Sequence, residues 1–250
     1  MTIKHIVMSG GGPAGLLTYG AARHLAKQKY WLLSDIETIY GTSIGSFMGV
    51  ILSLGYEWEW LDDYFIKRPW DKLIRIDPLS IVEIYQNKGL LTVNFIQETI
   101  APLLTAKGLS IDVTMKQLFE YNNIDLHVYT TEINGYRMEK ICISHESHPN
   151  LPVVNALAMS MAYPFAFTPI CVDEKCYIDG GLLNNYPLRD CLEETKCKED
   201  EILSFKNIWV VDDCKICDNS NVFDFLMVIL VKMKREIDTE ESQGEIKNTV

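Results

Sequence analysis

Residues 36–45 read Ile-Glu-Thr-Ile-Tyr-Gly-Thr-Ser-Ile-Gly, a short apolar run that leads into the pattern Gly-x-Ser-x-Gly. A strand that enters this pattern and continues as a helix makes a sharp turn, which presents the serine hydroxyl to a substrate. Gly41 and Gly45 let the strand and the helix pass closely, because neither residue carries a Cβ atom. The helix N-terminus beneath the serine favours developing negative charge. Ser43 is therefore the candidate nucleophile.

A second glycine-rich turn follows the first predicted strand. Residues 3–8 are short and apolar, as a buried strand is, and Gly10-Gly11-Gly12-Pro13-Ala14-Gly15 leads from them into a helical pattern that continues to Leu25. This alternation of strands and helices predicts an α/β fold around a largely parallel sheet. Ligands of such sheets bind at the carboxyl ends of the strands, so we expect both glycine-rich turns at one site.

A serine nucleophile needs donors that stabilise the oxyanion formed on the attacked carbonyl. The backbone N–H groups of Gly10, Gly11 and Gly12 are candidate donors, because no side chain obstructs them. Pro13 removes one further donor and fixes its own φ angle.

The serine also needs a base, and Asp179 is the candidate. It precedes Gly180 and Gly181 at the end of a predicted strand, on a tight turn from which a carboxylate can project into a cleft. A purely structural Asx turn has the same pattern. No histidine follows Asp179, which excludes the usual order of serine, acid and histidine. A carboxylate in direct contact with the serine can act as the base when burial raises its pKa. The histidines lack motifs of their own and are His5, His24, His127, His145 and His148.

These motifs make the chain similar to patatin-like phospholipases, which are related in catalytic design to cytosolic phospholipase A2. The glycine loop, the Gly-x-Ser-x-Gly turn and the Asp-Gly-Gly motif occur in the family's order and with similar spacing. Residues 156–169 and 184–187 resemble the family's segments before and after the aspartate. Ala14 is a departure, because the family often has Arg or Lys at this position.

The resemblance implies a three-layer α/β sandwich that hydrolyses acyl esters of phospholipids, galactolipids or neutral lipids, without a metal or a cofactor. It implies that Ser43 accepts the acyl group, that Asp179 accepts the proton, and that the amides of the glycine loop form the oxyanion hole. The glycines that support the three motifs are Gly15, Gly41, Gly45, Gly180 and Gly181.

Composition and charge limit the partners and the location of the protein. The 250 residues are 48% hydrophobic and carry a net charge of −11, which disfavours nucleic acid and general adhesion to anionic membranes. We expect a lipid substrate met locally and transiently at a membrane surface. The start of the sequence lacks the pattern of a secretory signal, which predicts a cytoplasmic protein with peripheral membrane contact as an option. The pattern predicts one domain over residues 1–238 and a disordered polar tail over 239–250.

Seven cysteines without framework spacing favour reduced thiols. The motif Cys214-Lys215-Ile216-Cys217 lacks the second ligand pair of a zinc site, so no metal is expected. Residues 57–77 are aromatic and basic. They indicate either a lipid-facing patch or an amphipathic helix with its aromatic side chains in the core. Further predicted strands are 126–131, 140–143 and 208–211, and further predicted helices are 153–161 and 223–231. The helix at 223–231 is expected to pack against the core, with an interfacial or oligomer contact as the alternative.

Two other functions remain open at this point. Gly-x-Gly-x-x-Gly between a strand and a helix is also the fingerprint of FAD- and NAD-binding proteins. That function needs an acidic residue at the end of the second strand, where Tyr40 and the serine turn stand instead. A catalytically silent lipid-binding scaffold is the other alternative. The sequence makes no prediction of the oligomeric state.

Overall fold

The computed structural model of the chain describes residues 2–73, 80–208, 215–240 and 245–250. Within these ranges, the side chains of 80–83 and 237–240 are not described. Seven strands form one mixed sheet, and two short strands pair separately. The strands are β1 (His5–Met8), β2 (Thr38–Thr42), β3 (Gly89–Leu91), β4 (Asp125–Glu132), β5 (Glu139–Ile143), β6 (Phe165–Phe167), β7 (Ile170–Val172), β8 (Lys175–Asp179) and β9 (Ile202–Phe205).

Helices connect and cover the strands. They are α1 (Gly15–Lys27), α2 (Ile44–Ser53), α3 (Trp58–Lys67), α4 (Trp70–Leu73), α5 (Ser80–Asn87), α6 (Val93–Ala106), α7 (Met115–Asn122), α8 (Val153–Ser160), α9 (Leu188–Thr195) and α10 (Val222–Glu240). Short 3-10 turns occupy Gly12–Ala14, Leu33–Asp35, Gly180–Leu182 and Glu199–Glu201.

The central part of the sheet is parallel, as the sequence predicts, in the order β4-β2-β1-β9. Successive residues of β1 face opposite layers, because side chains alternate along a strand. Ile6 and Met8 pack into the larger core with α1, α2, α6, α7 and α8. Val7 packs into a smaller core with Leu188 and Cys191 of α9. Helices therefore cover both faces, and the α/β sandwich is confirmed.

The outer part of the sheet is antiparallel, which the expectation of a largely parallel sheet did not include. β5 pairs with residues 128–132 of β4 along one edge. β2 pairs with residues 125–129 along the opposite edge, running parallel to β4. β8 continues along that same opposite edge at residues 130–132, but runs antiparallel. β7 completes the sheet beside β8.

The shared edge of β4 brings the ends of β2 and β8 together. Thr42, at the end of β2, stands opposite Tyr129. Asp179, at the end of β8, stands opposite the next residue, Thr130. The two strands approach from opposite directions, so their carboxyl ends meet. Ser43, which follows Thr42, consequently faces Asp179.

The aromatic segment after residue 57 packs mainly inward. Trp58, Tyr64 and Phe65 are partly buried against the larger core. Trp60 is 41% exposed and stacks between Tyr56 and Tyr64. The amphipathic helix with packed aromatics is thus the arrangement of α3, whereas residues 74–77 lie outside the described residues.

The structure describes the C-terminal part of the chain in pieces. Of the predicted strand at 208–211, Ile208 is not in a strand, and 209–211 lie outside the described residues, as does Cys214. Within the predicted polar tail, residues 245–250 lie beside β9, where the N–H of Val250 donates to Ser204 O at 2.9 Å and Ile246 is buried in the smaller core. The predicted helix at 223–231 lies within α10.

Candidate active site

Ser43 occupies a strained turn between β2 and α2. Its φ of 54° and ψ of −125° are rare for a residue with a side chain, and such conformations cost about 1–3 kcal/mol. The turn is tight because Gly45 passes over β1. A Cβ atom at Gly45 would lie 2.3 Å from the carbonyl oxygen of Met8. The sequence therefore holds the serine in a conformation that lifts its side chain away from the strand.

The hydroxyl of Ser43 donates a hydrogen bond to Asp179. The distance between Ser43 Oγ and Asp179 Oδ2 is 2.6 Å, although the residues are separated by 136 positions in the sequence. Asp179 is only 2% exposed. The structure thus brings together the two candidate catalytic side chains in one partly buried contact.

Local hydrogen bonds hold the carboxylate of Asp179 in place. The N–H of Gly181 donates to its second oxygen, Oδ1, at 2.7 Å. Its own N–H donates to Ala162 O at 3.0 Å. A Cβ atom at Gly180 would lie 2.2 Å from Tyr129 O, so the turn after the aspartate is packed directly against β4. The Asx turn and the contact with Ser43 are both present, one on each carboxylate oxygen.

The pKa of Asp179 is raised to about 6 from an ordinary value of 3.8. Burial is the largest cause, because it disfavours the charged carboxylate. The hydrogen bonds from Ser43 and Gly181 oppose this effect, and so does the positive charge of Lys234 on α10. A carboxylate with this pKa is ionised at neutral pH and is a stronger base than an exposed aspartate.

Ser160, at the end of α8, fixes the backbone of Ser43. Its Oγ accepts a hydrogen bond from the N–H of Ser43 at 2.9 Å and donates one to Tyr129 O at 2.6 Å. Ser46 Oγ donates to Ser43 O at 2.6 Å. The sequence did not assign roles to these two serines. Ser160 does stand in the segment 156–169 that resembles the family, which was the available signal.

The glycine loop lies beside Ser43. A Cβ atom at Gly10 would be 3.2 Å from Ser43 Cβ and 2.5 Å from the side chain of Asn185. The N–H of Gly10 donates to Asn185 O at 3.0 Å. Gly10 is therefore corrected as an oxyanion donor, because its N–H group is already engaged. Within the described ranges, the N–H groups of Gly11 and Gly12 have no protein acceptor.

Asn207, just after β9, supports this loop from behind. Its N–H donates to Ser9 Oγ at 2.7 Å, and its side-chain amide lies 3.5 Å from Gly10 O. A Cβ atom at Gly11 would lie 2.8 Å from the Asn207 side chain. Gly12, with φ at 49°, has open space where a Cβ would stand. The free amides thus lie toward the surface rather than in the core.

The histidines take part in other contacts. His5 bonds Thr38, His24 bonds Gln28, and His148 bonds Ser147. His127 and His145 both bond Asp125. All five lie in the part of the chain that the structure describes, and none contacts the hydroxyl of Ser43 there. The sequence argument against a histidine base agrees with this geometry.

A comparison with protein-family models identifies residues 6–192 as matching the model of patatin-like phospholipases. The chain belongs to this family. The resemblance predicted from the sequence is confirmed, and the match includes the glycine loop, the serine turn and the Asp-Gly-Gly motif of this patatin-like protein.

Relatives of this patatin-like protein occur in viruses. An uncharacterized protein of Acanthamoeba polyphaga mimivirus is 27% identical over 186 residues, which cover 74% of this chain and 60% of that protein. A protein of Invertebrate iridescent virus 6 named "probable lipid hydrolase" is 27% identical over 212 residues, which cover 82% of this chain and 70% of that protein. This chain thus spans three fifths to seven tenths of the length of these relatives.

A solved structure shares the fold. VipD from Legionella pneumophila superposes with a TM-score of 0.57 at 16% identity, over 82% of this chain and 50% of that one. At this identity the likeness supports the α/β architecture alone. Within the described ranges, no helix of the patatin-like chain has the length and apolarity of a membrane-spanning segment.

Proposed function

We propose that this patatin-like protein hydrolyses fatty-acyl esters of phospholipids or related lipids, with Ser43 as the nucleophile and Asp179 as the base. The 2.6 Å hydrogen bond between Ser43 Oγ and the buried carboxylate carries the proposal. Family membership and the name of the iridescent virus relative support the lipid substrate. They also favour a hydrolase over the dinucleotide-binding alternative for the glycine loop.

The reaction proceeds in two steps through an acyl-enzyme. Asp179 accepts the proton as Ser43 Oγ attacks the ester carbonyl, and the proton then passes to the departing alcohol oxygen of the lipid. In the second step a water molecule attacks the acyl-serine while Asp179 again accepts a proton. Ser43 regains its proton as the free fatty acid leaves. The base is poised for both steps because it already touches the hydroxyl.

The oxyanion is stabilised by the free amides of Gly11 and Gly12. Their loop borders Ser43, and Asn207 holds it in shape. Donors fixed before the reaction need no rearrangement when charge develops, which is the main source of their effect. Pro13 supplies no N–H group, so the hole depends on two adjacent glycines.

We expect hydrolysis to increase as the pH rises through about 6. Only the ionised form of Asp179 can accept the serine proton, and its pKa is about 6. The measurement is kcat/KM for a neutral short-chain ester across the acidic range. A profile that stays flat from pH 5 to pH 8, roughly one unit below and two above that pKa, contradicts a carboxylate base.

The substrate reaches the site from a lipid surface. Phe223 of α10 contacts Phe165, and the charge of Lys234 on the same helix lowers the pKa of Asp179, so α10 lies near Asp179. Leu16 and Leu17, in the first turn of α1 after the glycine loop, are also exposed. Apolar side chains exposed around a lipid-binding cleft fit a bilayer interface. Those of α10 are Val222, Phe223, Phe225, Leu226, Ile229 and Met233.

Replacing Phe225 and Leu226 together by aspartate should weaken binding to phospholipid vesicles about tenfold or more, because two apolar side chains no longer enter the bilayer. Sedimentation with vesicles measures this binding. Hydrolysis of a water-soluble short-chain ester should remain at the wild-type rate. Tyr136→Asp is the control, since it removes a fully exposed aromatic side chain from the β4–β5 loop. Equal vesicle binding by all three proteins contradicts a docking role for α10.

The proposed function is tested with vesicles of mixed phospholipids, galactolipids and neutral lipids. Mass spectrometry of the products should show free fatty acid and the matching deacylated lipid with the wild type, and neither with Ser43→Ala. Products that form equally with both proteins contradict the assignment. A purified protein that is yellow or retains a nucleotide, and releases no fatty acid, instead supports the dinucleotide-binding function.

A further inference from the structure

Three metal-ligand side chains converge on the α9 face of the sheet, away from the catalytic dyad. They are His127 of β4, Cys142 of β5 and Glu194 of α9. His127 Nδ1 lies 3.3 Å from Glu194 Oε2 and 3.4 Å from Cys142 Sγ. The three ligand atoms all lie within 4.8 Å of one another.

The two short distances match the edges of a tetrahedral zinc site. Zinc binds histidine nitrogen and carboxylate oxygen at about 2.0–2.2 Å and thiolate sulfur at about 2.3 Å. In a regular tetrahedron these bonds separate nitrogen and oxygen by roughly 3.4 Å, and nitrogen and sulfur by roughly 3.6 Å. The cluster therefore needs only a small closure around an ion.

The second ring nitrogen of His127 contacts a carboxylate, as the non-ligating nitrogen of a metal-binding histidine usually does. Nε2 lies 3.0 Å from Asp125 Oδ2, and the other oxygen of Asp125 lies 2.8 Å from His145 Nδ1. An Nε2–H group that donates to a carboxylate leaves Nδ1 as the lone-pair nitrogen and fixes the direction of the ring. The ring of His127 also stacks on Tyr40, with centroids 4.2 Å apart.

The site also has an opening. His127 is only 8% exposed, whereas the side chain of Glu194 is 45% exposed. An ion could enter past the carboxylate and keep a water molecule as its fourth ligand. Tyr40 donates a hydrogen bond to Glu194 Oε2 at 2.9 Å, which orients this ligand toward the histidine.

An ion joins the three atoms in a way that hydrogen bonds alone do not. A proton on Nδ1 of His127 makes one strong hydrogen bond, to either Glu194 Oε2 or Cys142 Sγ. Without an ion, Glu194 Oε2 still accepts a hydrogen bond from Tyr40. An ion replaces the proton on Nδ1 and binds all three atoms together.

We propose that His127, Cys142 and Glu194 form a site for a divalent transition-metal ion of the zinc class. Mixed nitrogen, sulfur and oxygen ligands in tetrahedral geometry suit zinc rather than magnesium or calcium. The ion ties α9 to β4 and β5. Its role is structural, because the cluster does not touch Ser43 or Asp179. No local sequence pattern indicates this site, since the three ligands are dispersed along the chain and lack a short spacing.

The test is a zinc titration of chelator-treated protein in competition with a chromogenic chelator. The wild type should bind about one zinc ion per chain, as a site with three protein ligands does. Asp125→Asn removes only the carboxylate that holds His127, and it should weaken the zinc affinity by roughly 10–100-fold. Cys142→Ser removes a ligand itself, so it should weaken the zinc affinity by more than that. Cys197→Ser is the matched control, a partly buried cysteine outside the cluster that should bind as the wild type does.

A second measurement on the unaltered protein guards against misfolded variants. Cobalt added to the wild type should give the intense thiolate-to-metal absorption of a tetrahedral site, and zinc should remove it. Zinc should also raise the thermal midpoint of the wild type. Zinc binding that is absent in the wild type, or unchanged in Cys142→Ser, overturns the proposal. So does a cobalt spectrum without a thiolate band.

Discussion

Asp179→Asn should lower kcat/KM for lipid hydrolysis by roughly a thousandfold, the usual contribution of a general base. Asparagine can keep the local geometry. Its Oδ1 can accept the N–H of Gly181, and its amide can contact Ser43 Oγ. It cannot accept the proton of the serine, so the loss of activity occurs without a loss of fold. Initial rates on a phospholipid dispersion measure the effect.

The same substitution should stabilise the protein at neutral pH. The raised pKa means that the folded state holds the proton of Asp179 more tightly than the unfolded state, for which we take the ordinary value of 3.8. Stability therefore decreases as the pH rises from 3.8 to about 6, and the full penalty persists above that range. A shift of roughly two units corresponds to at most about 3 kcal/mol.

Urea unfolding near pH 7.5 and near pH 4 separates the effect of the Asp179 charge from a general change in stability. The charge destabilises the folded state only at the higher pH, where the carboxylate is ionised. Asp179→Asn should exceed the wild type in free energy of unfolding at the higher pH, and the difference should shrink at the lower pH. Asp173→Asn, on the exposed turn of the same β7–β8 hairpin, serves as the control. An equal or lower stability of Asp179→Asn at both pH values contradicts the burial of a charged carboxylate.

Ser43→Ala should remove hydrolysis almost completely, by about four orders of magnitude or more. The oxyanion donors that remain cannot act without a nucleophile. Alanine should retain the strained backbone, because the side chains of Ser46 and Ser160 form hydrogen bonds with the main chain of residue 43. The circular dichroism spectrum and the unfolding midpoint should therefore stay close to those of the wild type.

The control for Ser43→Ala is Ser34→Ala, which alters an exposed serine before β2. Ser34→Ala should hydrolyse lipid at the wild-type rate. Release of fatty acid by purified Ser43→Ala at more than about a hundredth of the wild-type rate would identify another nucleophile. Vesicle binding should be equal in both proteins, because neither substitution alters α10.

Local sequence patterns predicted the first half of the site well. The strand before Gly10, the strand before Gly41 and the helices after each turn are set by residues within a few positions of one another. Short-range signals of this kind arise from backbone conformation and apolar periodicity. They placed Ser43 correctly on the turn that the structure shows between β2 and α2.

Other features depend on pairing between distant residues, and no local pattern encodes it. β8 runs antiparallel beside β4, on the same edge of β4 that pairs with β2. This pairing brings Asp179 to Ser43 although 136 positions separate them in the sequence. The engagement of the Gly10 amide by Asn185 arises in the same way. Residues 245–250 have a polar composition, yet they pair with β9, because strand addition uses backbone groups that composition does not reveal.

The most direct test of the dyad is the rate at which a fluorophosphonate labels the protein, with the modified residue located by peptide mass spectrometry. The wild type should be labelled at Ser43, and Asp179→Asn should be labelled there at least about a hundredfold more slowly, because its serine lacks a base. Labelling at another residue, or equal rates in the two proteins, would contradict the claim that Asp179 activates Ser43.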